Sequence, residues 1–333
     1  GIMVITTINP VWEPILNVMS KLRIRRPEFK QRNFITNEDI RNLLNVTGYQ
    51  VLFSGYRCAM SLGIPILAPL LNYTIPHLPA LRYLCSTQFI VATPCRSRRE
   101  YSISVVIPCF NEAENIRSCI ERVPAMGTRT EIVVVDDGST DNTAERAKEA
   151  HNEQCDVRVI EYSPNRGKLH AVTTGFQAAT GDILVILDAD MTVRPEDLPR
   201  FYEPLAGGYA DFVNGTRAVY PMEQKAMKFA NYFGNKLFSL LVSWIIDQRV
   251  SDTLCGTKAF FRKDYSFFEM GHDPWGDFDL LFGIARQRRH IVEVPIHYKE
   301  RKAGVSKMKS FTHGKNLLKA CMHGFRSVKL RGH

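Results

Sequence analysis

None of the eight cysteines (positions 58, 85, 95, 109, 119, 155, 255 and 321) stands in a CxxC pair, and no regular interval relates them. No secretory apolar region opens the chain either, so the cysteines are expected to be reduced cytosolic thiols, mostly buried. Long apolar runs are also missing. The longest, around Ile64–Leu71 and Leu237–Ile246, fall well short of the roughly 18 residues that span a bilayer. The chain is therefore expected to be soluble or peripheral, at the cytoplasmic face of a membrane. Gly1-Ile2 leads straight into strand-like Met3–Ile8, as if the sequence began inside a domain. There is no internal repeat and no low-complexity segment.

Acidic residues are scarce at both ends. Residues 1–99 carry 12 Lys/Arg against 4 Asp/Glu, a net of +8, and residues 299–333 carry 10 against 1, a net of +9. The total is +9, so the centre is left at −8. A basic protein suggests nucleic acid in general. Here the positive charge flanks an acidic centre, which suits a metal better than a phosphodiester backbone. The expected partner is an anionic membrane surface, with no nucleic acid. At 333 residues and 45% apolar content, the chain can bury the cores of two domains.

Pro94-Cys95-Arg96-Ser97-Arg98-Arg99 is a Pro-led basic stretch between apolar segments, and it reads as a linker over 96–100. Beyond it strands and helices alternate. Strands are expected at Ile103–Ile107, Glu131–Val135, Val157–Glu161 and Ile183–Leu187. Helices are expected at Asn111–Val123, about Asp141–Ala150 and Lys168–Ala179. Continuous apolar strands alternating with helices predict an α/β fold, a doubly wound, mostly parallel sheet with helices on both faces. Ligands of such sheets sit beyond the carboxyl ends of the strands. Acids gather there: Glu112 after the first strand, Asp136, Asp137 and Asp141 after the second, and Asp188 and Asp190 after the fourth. Ser139 and Asp141 could equally be helix caps. Asp188 and Asp190 precede no immediate helix, and clustered carboxylates repel unless a cation intervenes. Hard oxygen ligands suit Mg²⁺ or Mn²⁺ bridging phosphates.

Four blocks in this order, Val106-Ile107-Pro108-Cys109-Phe110-Asn111-Glu112, Val134-Val135-Asp136-Asp137-Gly138-Ser139, Asn165-Arg166-Gly167-Lys168 and Asp188-Ala189-Asp190, resemble the inverting family 2 glycosyltransferases of GT-A fold. Among these the polyprenyl-phosphate (dolichol-phosphate) sugar transferases are most similar, over about residues 101–320. The resemblance implies a metal-dependent transfer from a UDP- or GDP-linked sugar to a polyprenyl phosphate. It implies that Pro108, Phe110 and Glu112 line the base pocket, and that Asp136 or Asp137 meets the base or ribose. Lys168, Asp188 and Ala189 would lie along the nucleotide-sugar, with Asp188 near the ribose and diphosphate, and Asp188 and Asp190 would hold the metal. Where relatives carry a Gln that assists the metal, this chain has Thr192, so either water replaces that ligand or the metal is held more loosely.

Downstream, Asn214-Gly215-Thr216-Arg217 resembles the segment whose Arg faces the acceptor phosphate, and Asp252–Lys258 resembles the loop under the sugar. Arg301-Lys302-Ala303-Gly304-Val305-Ser306-Lys307 resembles the element that closes on phosphates, with Arg301, Ser306 and Lys307 in contact. Asp277 and Asp279 occupy the place of the acceptor-side acid, and Asp279 fits better by its following Leu-Leu. With an alcohol acceptor that carboxylate would be the general base; with a lipid phosphate no base is needed. Residues 311–333 form an expected basic amphipathic helix, with 311, 318, 322 and 325 on a face able to enter a membrane interface.

Before the linker, Thr36-Asn37-Glu38-Asp39 is a capping-box-like helix start, with Ile40, Leu43 and Leu44 on one face and Gly48 as the stop. Strands Met3–Ile8, Tyr49–Phe53 and Ser86–Ala92 complete a segment, 1–95, that resembles the C-terminal half of a class I S-adenosylmethionine-dependent methyltransferase. The cofactor's Gly-rich turn is absent: the only glycines before residue 100 are Gly1, Gly48, Gly55 and Gly63.

Rival readings meet specific obstacles. Ile183–Thr192 fits the DxDxT signature of haloacid-dehalogenase phosphatases, but those place it near the domain start, and here Asp136-Asp137 come first. No Gly-rich triphosphate loop supports a pyrophosphorylase, and no QxxRW supports a processive synthase. The remaining alternatives are a glycosyltransferase acting on a soluble hydroxyl and a degenerate nucleotide-sugar-binding scaffold.

Overall fold

A computed structural model describes residues 2–23, 35–60, 64–78, 80–217, 229–296 and 310–330, with the side chains of 229–233 and 310–315 outside that description. It divides into two compact units, residues 1–95 and 96–333.

Unit 1 contains β1 (Met3–Ile8), α1 (Glu13–Lys21), α2 (Asn37–Val46), β2 (Tyr49–Arg57), α3 (Leu67–Thr74) and β3 (Thr87–Pro94). The strands form an antiparallel sheet in the order β1-β3-β2. Helix α2 starts on the expected capping box: Thr36 Oγ1 accepts from Asp39 N (3.1 Å), and Thr36 N donates to Asp39 Oδ2 (2.9 Å). Ile40 and Leu44 pack on Val51, Ile90 and Ala92. Leu43, expected on the same face, points outward and is 60% exposed, because only one narrow stripe of so short a helix meets the sheet.

Unit 2 contains β4 (Ser102–Cys109), α4 (Ile116–Glu121), β5 (Arg129–Asp136), α5 (Thr143–Glu149), β6 (Asp156–Glu161), α6 (Lys168–Ala178), β7 (Ile183–Ile186), α7 (Pro199–Ala206), β8 (Phe212–Thr216), α8 (Phe229–Ile246), β9 (Lys258–Phe261), α9 (Asp277–Arg286), β10 (Ile291–Pro295) and α10 (Ser310–Gly324). Seven strands lie in the order β10-β8-β9-β7-β4-β5-β6. All are parallel except β9, which runs against β7 and β8. Alternation along each strand feeds two cores. Ile103, Val105 and Ile107 face one layer, and Val106, Val133 and Val135 face the other. The chain builds outward from β4 through β5 to β6 and then crosses to β7 on the other side. The order therefore reverses between β4 and β7, and their carboxyl ends flank a crevice of the kind that binds ligands.

The basic stretch expected as a linker is tied down within unit 2. Arg96 pairs with Asp211 and Arg98 with Glu203, while Arg99 N donates to Ala206 O (2.9 Å). Acids on and after α7, unseen in a linear reading, convert a charged connector into a strap.

The C-terminal helix also differs from expectation. Among its described side chains Leu317, Ala320 and Cys321 are buried, and Phe325 stacks on Trp244 at 5.3 Å. Leu318 and Met322 remain exposed, and the side chain of Phe311 lies outside the described residues. Lys329, one of the basic residues of this stretch, is buried and pairs with Asp247 at 2.5 Å. The expected membrane face is thus divided between the core and solvent. No helix among the described residues is long and apolar enough to cross a membrane.

Candidate active site

Two turns at the carboxyl ends of β4 and β5 are laced together by their own polar side chains. Asn111 adopts the left-handed conformation (φ 56°), which Asn tolerates better than most residues. Its N–H donates to Ser139 Oγ (2.9 Å) and its Oδ1 accepts from Thr140 N (2.8 Å). This turn delays the helix expected from Asn111 until Ile116. Asp141 Oδ1 accepts from Thr143 N (3.1 Å), so it serves the start of α5, the capping alternative left open above.

Asp136 and Asp137 are buried, and both carboxylates hold loops. Asp136 accepts from Ser139 N (3.2 Å) and from the Ser139 hydroxyl. Asp137 Oδ1 takes Arg166 N and its Oδ2 takes Gly167 N, each at 2.8 Å. Asp137 thereby fixes the turn that launches α6. Pro108 is buried within β4, while Phe110 and Glu112 are half-buried beyond its end. Glu112 Oε2 accepts from Asn115 Nδ2 (2.9 Å).

Lys168, the first residue of α6, reaches Asp188 at the end of β7, Nζ to Oδ1 2.6 Å. Burial works against the Lys168 charge, but Asp188, Asp277 and Asp190 outweigh it and hold the pKa above the usual lysine value. The N-cap of α6 is Gly167, which offers no side-chain acceptor; His170 N and Ala171 N donate to the Gly167 carbonyl, and no capping side chain competes with an anion for the N–H groups of Lys168 and Leu169. Asp190 is 7% exposed and accepts from Thr192 Oγ1 (2.7 Å) and Thr192 N (3.1 Å). Thr192 therefore supports Asp190. Ala189 is buried, and Met191 takes φ 57°, a left-handed conformation that costs a non-glycine residue energy.

Gly256 lies directly against this pair. A Cβ there would collide with Asp188 Oδ2 and meet Lys168 Nζ at 2.9 Å. Beside it, Lys258 is fully buried and gives its Nζ to Asp277 Oδ1 at 2.6 Å and to the Cys255 carbonyl. The acids and cations therefore alternate across the site: Asp188, Lys168, Asp277, Lys258.

Asp279 has another place. Its Oδ2 accepts from Gly271 N (2.7 Å), His272 N (3.1 Å) and Asp273 N (3.3 Å). Burial raises its pKa, and those backbone donors oppose the rise. It clasps the loop before α9, so the acid of this pair that acts on the Lys168–Asp188 centre is Asp277, two residues earlier. Arg217 is equally engaged. It grips Asp252 through Nε (2.6 Å), Nη2 (2.8 Å) and backbone N (3.0 Å). Burial would raise the Asp252 pKa, but Arg217 more than offsets this and holds it below the usual value. Arg301, Ser306 and Lys307 lie outside the described residues.

Lys258 and Asp273 carry weight that the sequence reading did not assign. A lysine opening the apolar run Lys258-Ala259-Phe260-Phe261 was the available signal for the first. Asp273 is fully buried and accepts from Phe278 N (2.9 Å) and Trp275 N (3.3 Å). Burial, and then Asp277, push its carboxyl up to about 7. Because the unfolded carboxyl ionises first, its contribution to stability is complete below about pH 4 and is lost as pH rises towards 7, by roughly 4 kcal/mol at most. Thermal melts across pH 4–8 should therefore show Asp273→Asn gaining on the parent as pH rises. Parallel curves for the two proteins would contradict this.

No group of three or more His, Cys, Asp or Glu among the described residues is placed to hold a metal ion, while Asp188 and Asp190 are hard oxygen donors of the kind that Mg²⁺ and Mn²⁺ accept. Such ions take the rest of their oxygens from phosphate and water.

The sequence profile of glycosyl transferase family 2 matches residues 104–268. The dolichol-phosphate mannosyltransferase of Pyrococcus furiosus is 34% identical over 239 residues, which is 69% of this chain and 64% of that protein. The chain thus spans a little under two thirds of that relative's length. Among solved structures, glucosyl-3-phosphoglycerate synthase from Mycobacterium tuberculosis, in complex with Mn²⁺, UDP and glucosyl-3-phosphoglycerate, aligns with TM-score 0.52 at 23% identity. The alignment covers 67% of this chain and 80% of that one. A mycobacterial protein aligns at TM-score 0.53 and 24% identity, over 67% and 75%. These likenesses show a shared GT-A fold. The methyltransferase resemblance of residues 1–95 falls outside the residues of the family match.

Proposed function

We propose, from the family 2 glycosyltransferase domain that this chain carries, that unit 2 moves a hexosyl group from a UDP- or GDP-linked sugar to a polyprenyl phosphate, inverting the anomeric carbon. The observation that carries this reading is the Lys168–Asp188 pair beneath Gly256, at the crevice where the strand order reverses, with Asp190 beside it.

Asp188 and Asp190 would hold Mg²⁺ or Mn²⁺, which when bound neutralises charge on the departing nucleoside diphosphate. The Mn²⁺ and UDP held by the mycobacterial synthase agree with this. Lys168 and the open N-terminus of α6 supply fixed positive charge to the same diphosphate. Phe110 and Glu112 border the base, next to a turn that Asp136 and Asp137 hold rigid. The absence of a side chain at 256 lets the sugar approach the ion pair closely. Asp277, held by Lys258, orients Lys168. An ionised phosphate oxygen attacks C1 from the face opposite the diphosphate. The C1–O bond to the diphosphate breaks as the new C1–O bond forms, and no proton needs removal, so a buried Asp279 is no obstacle. Arg301, Ser306 and Lys307 are assigned to the phosphates. The relative's name supports a lipid phosphate as acceptor, and the basic ends support work at an anionic, cytoplasmic membrane face.

Incubation with Mn²⁺, labelled UDP- and GDP-sugars and a polyprenyl phosphate should yield an organic-soluble labelled lipid from one of the donors. Label passing only to water or to a soluble alcohol would refute the acceptor assignment.

A further inference from the structure

The loop from Asp252 to Lys258 carries Gly256 against the Lys168–Asp188 pair, and each of its ends belongs to a buried ion pair. Lys258 and Asp277 hold one end. Asp252, 1% exposed, is the other, and both of its oxygens accept from Arg217. Asn235 on α8 braces this end. Its Nδ2 donates to Asp252 Oδ1 (2.9 Å), and its Oδ1 accepts from Thr253 N (3.3 Å) and Thr253 Oγ1 (3.2 Å).

Glu293, in the middle of β10, ties down the same turn. Its Oε1 accepts from Ser251 N (2.8 Å) and Asp252 N (3.3 Å), and its Oε2 accepts from the Ser251 hydroxyl (2.7 Å). Asn214 on β8 joins them, with Nδ2 donating to Asp252 O (2.7 Å) and to Glu293 Oε1 (3.3 Å). A strand has no need of a carboxylate here, since β-branched residues suit it better, and a second anion beside Asp252 is unfavourable in itself. What Glu293 supplies is acceptors for the N–H groups of a turn outside the sheet ladder.

We infer that Arg217, Asn235 and Glu293 are positioning residues for the donor sugar. They act through Asp252 and the loop that follows it, fixing where Gly256 lies against Asp188 and so where a sugar can rest over the ion pair. Arg217 is thereby an anchor of this loop, where the family resemblance set it against the acceptor phosphate. The inference rests on the nucleotide-sugar donor proposed above and not on the acceptor. A small shift of the loop would be felt by the sugar, while Lys168 and the N-terminus of α6 would still hold the diphosphate.

Calorimetry on the full chain in Mn²⁺, comparing UDP with UDP-glucose and GDP with GDP-mannose, isolates the sugar's share of binding. Glu293→Ala should weaken binding of the nucleotide-sugar about tenfold, keep the diphosphate within about twofold, and slow transfer about ten- to a hundredfold, the scale of a misplaced reacting group. Glu293→Gln keeps one acceptor oxygen and should fall between Glu293→Ala and the parent. Asn235→Ala, which reaches the same loop from α8, should show the same split, and so should Arg217→Lys, which keeps the charge and loses the fork. These milder variants carry the test if Glu293→Ala does not fold. Equal loss of diphosphate and nucleotide-sugar affinity would reveal a merely structural role and overturn the inference. So would parental affinity for the nucleotide-sugar in the variants, and that result would leave the proposed function standing. Arg217→Lys binding the donor normally but demanding more acceptor would return Arg217 to the acceptor phosphate and overturn its place here. A parent protein that binds neither diphosphate would remove the donor site and both readings with it.

Discussion

Asp190→Ala should abolish Mn²⁺-dependent binding of a nucleoside diphosphate and lower sugar transfer by about a thousandfold or more, the effect of losing several kcal/mol of charge stabilisation. The fold should survive. Asp190 sits at the end of the sheet, where it accepts from the hydroxyl and N–H of Thr192, groups that a water can satisfy. Calorimetry with the diphosphate, with and without Mn²⁺, reads the first effect, and a thermal melt reads the second. Thr192→Val should be milder, because it removes a support of Asp190 and leaves the carboxylate in place. Unchanged metal-linked affinity in the alanine variant would remove Asp190 from the metal site and leave the nucleotide to Lys168 and the N-terminus of α6.

Lys258→Met should cost stability first and activity second. The lysine is fully buried and its partner Asp277 nearly so, and removal of one member of such a pair leaves a buried charge uncompensated, at about 3–5 kcal/mol. For a unit of this size that is a fall of roughly 10 °C in melting temperature. Lys258→Met/Asp277→Leu should recover most of the loss, since an apolar pair of similar volume can replace a buried ion pair. Activity should stay low in the double variant, because Asp277 also helps to hold the charge of Lys168. A single variant that melts within about a degree of the parent would show that water reaches the pair and that the burial argument fails. A fully active double variant would show that Asp277 plays no part in orienting Lys168.

The two predictions probe two sides of one charged site. Asp190 is judged by what it would bind, and Lys258 by what it already holds. A side chain at 256 would disturb the row at its Asp188–Lys168 end, which Gly256 meets.

Much of this protein follows from local sequence. The strands of unit 2 that carry the first half of the site are continuous apolar runs, so their burial and parallel pairing could be read residue by residue, and the polar residues after each had to lie at the sheet's carboxyl edge. The capping box at Thr36 and the stop at Gly48 were legible for the same reason: each depends on contacts within a few residues. The order of the charged groups was not legible, because it depends on which distant segments the fold brings together. Asp136 and Asp137 were legible at the sheet's carboxyl edge, but nothing local in the sequence shows that Asp136, Asp137, Asp279 and Arg217 are each held by a backbone turn or a buried partner. Asp279 looked the better acid by its neighbours in sequence, yet α9 turns Asp277 towards Lys258, nineteen positions away. Likewise, the apolar positions of the C-terminal helix, 318, 322 and 325 among them, look alike as sequence. Only packing distinguishes them, because a stripe is a core face or a free surface according to whether another element arrives to cover it.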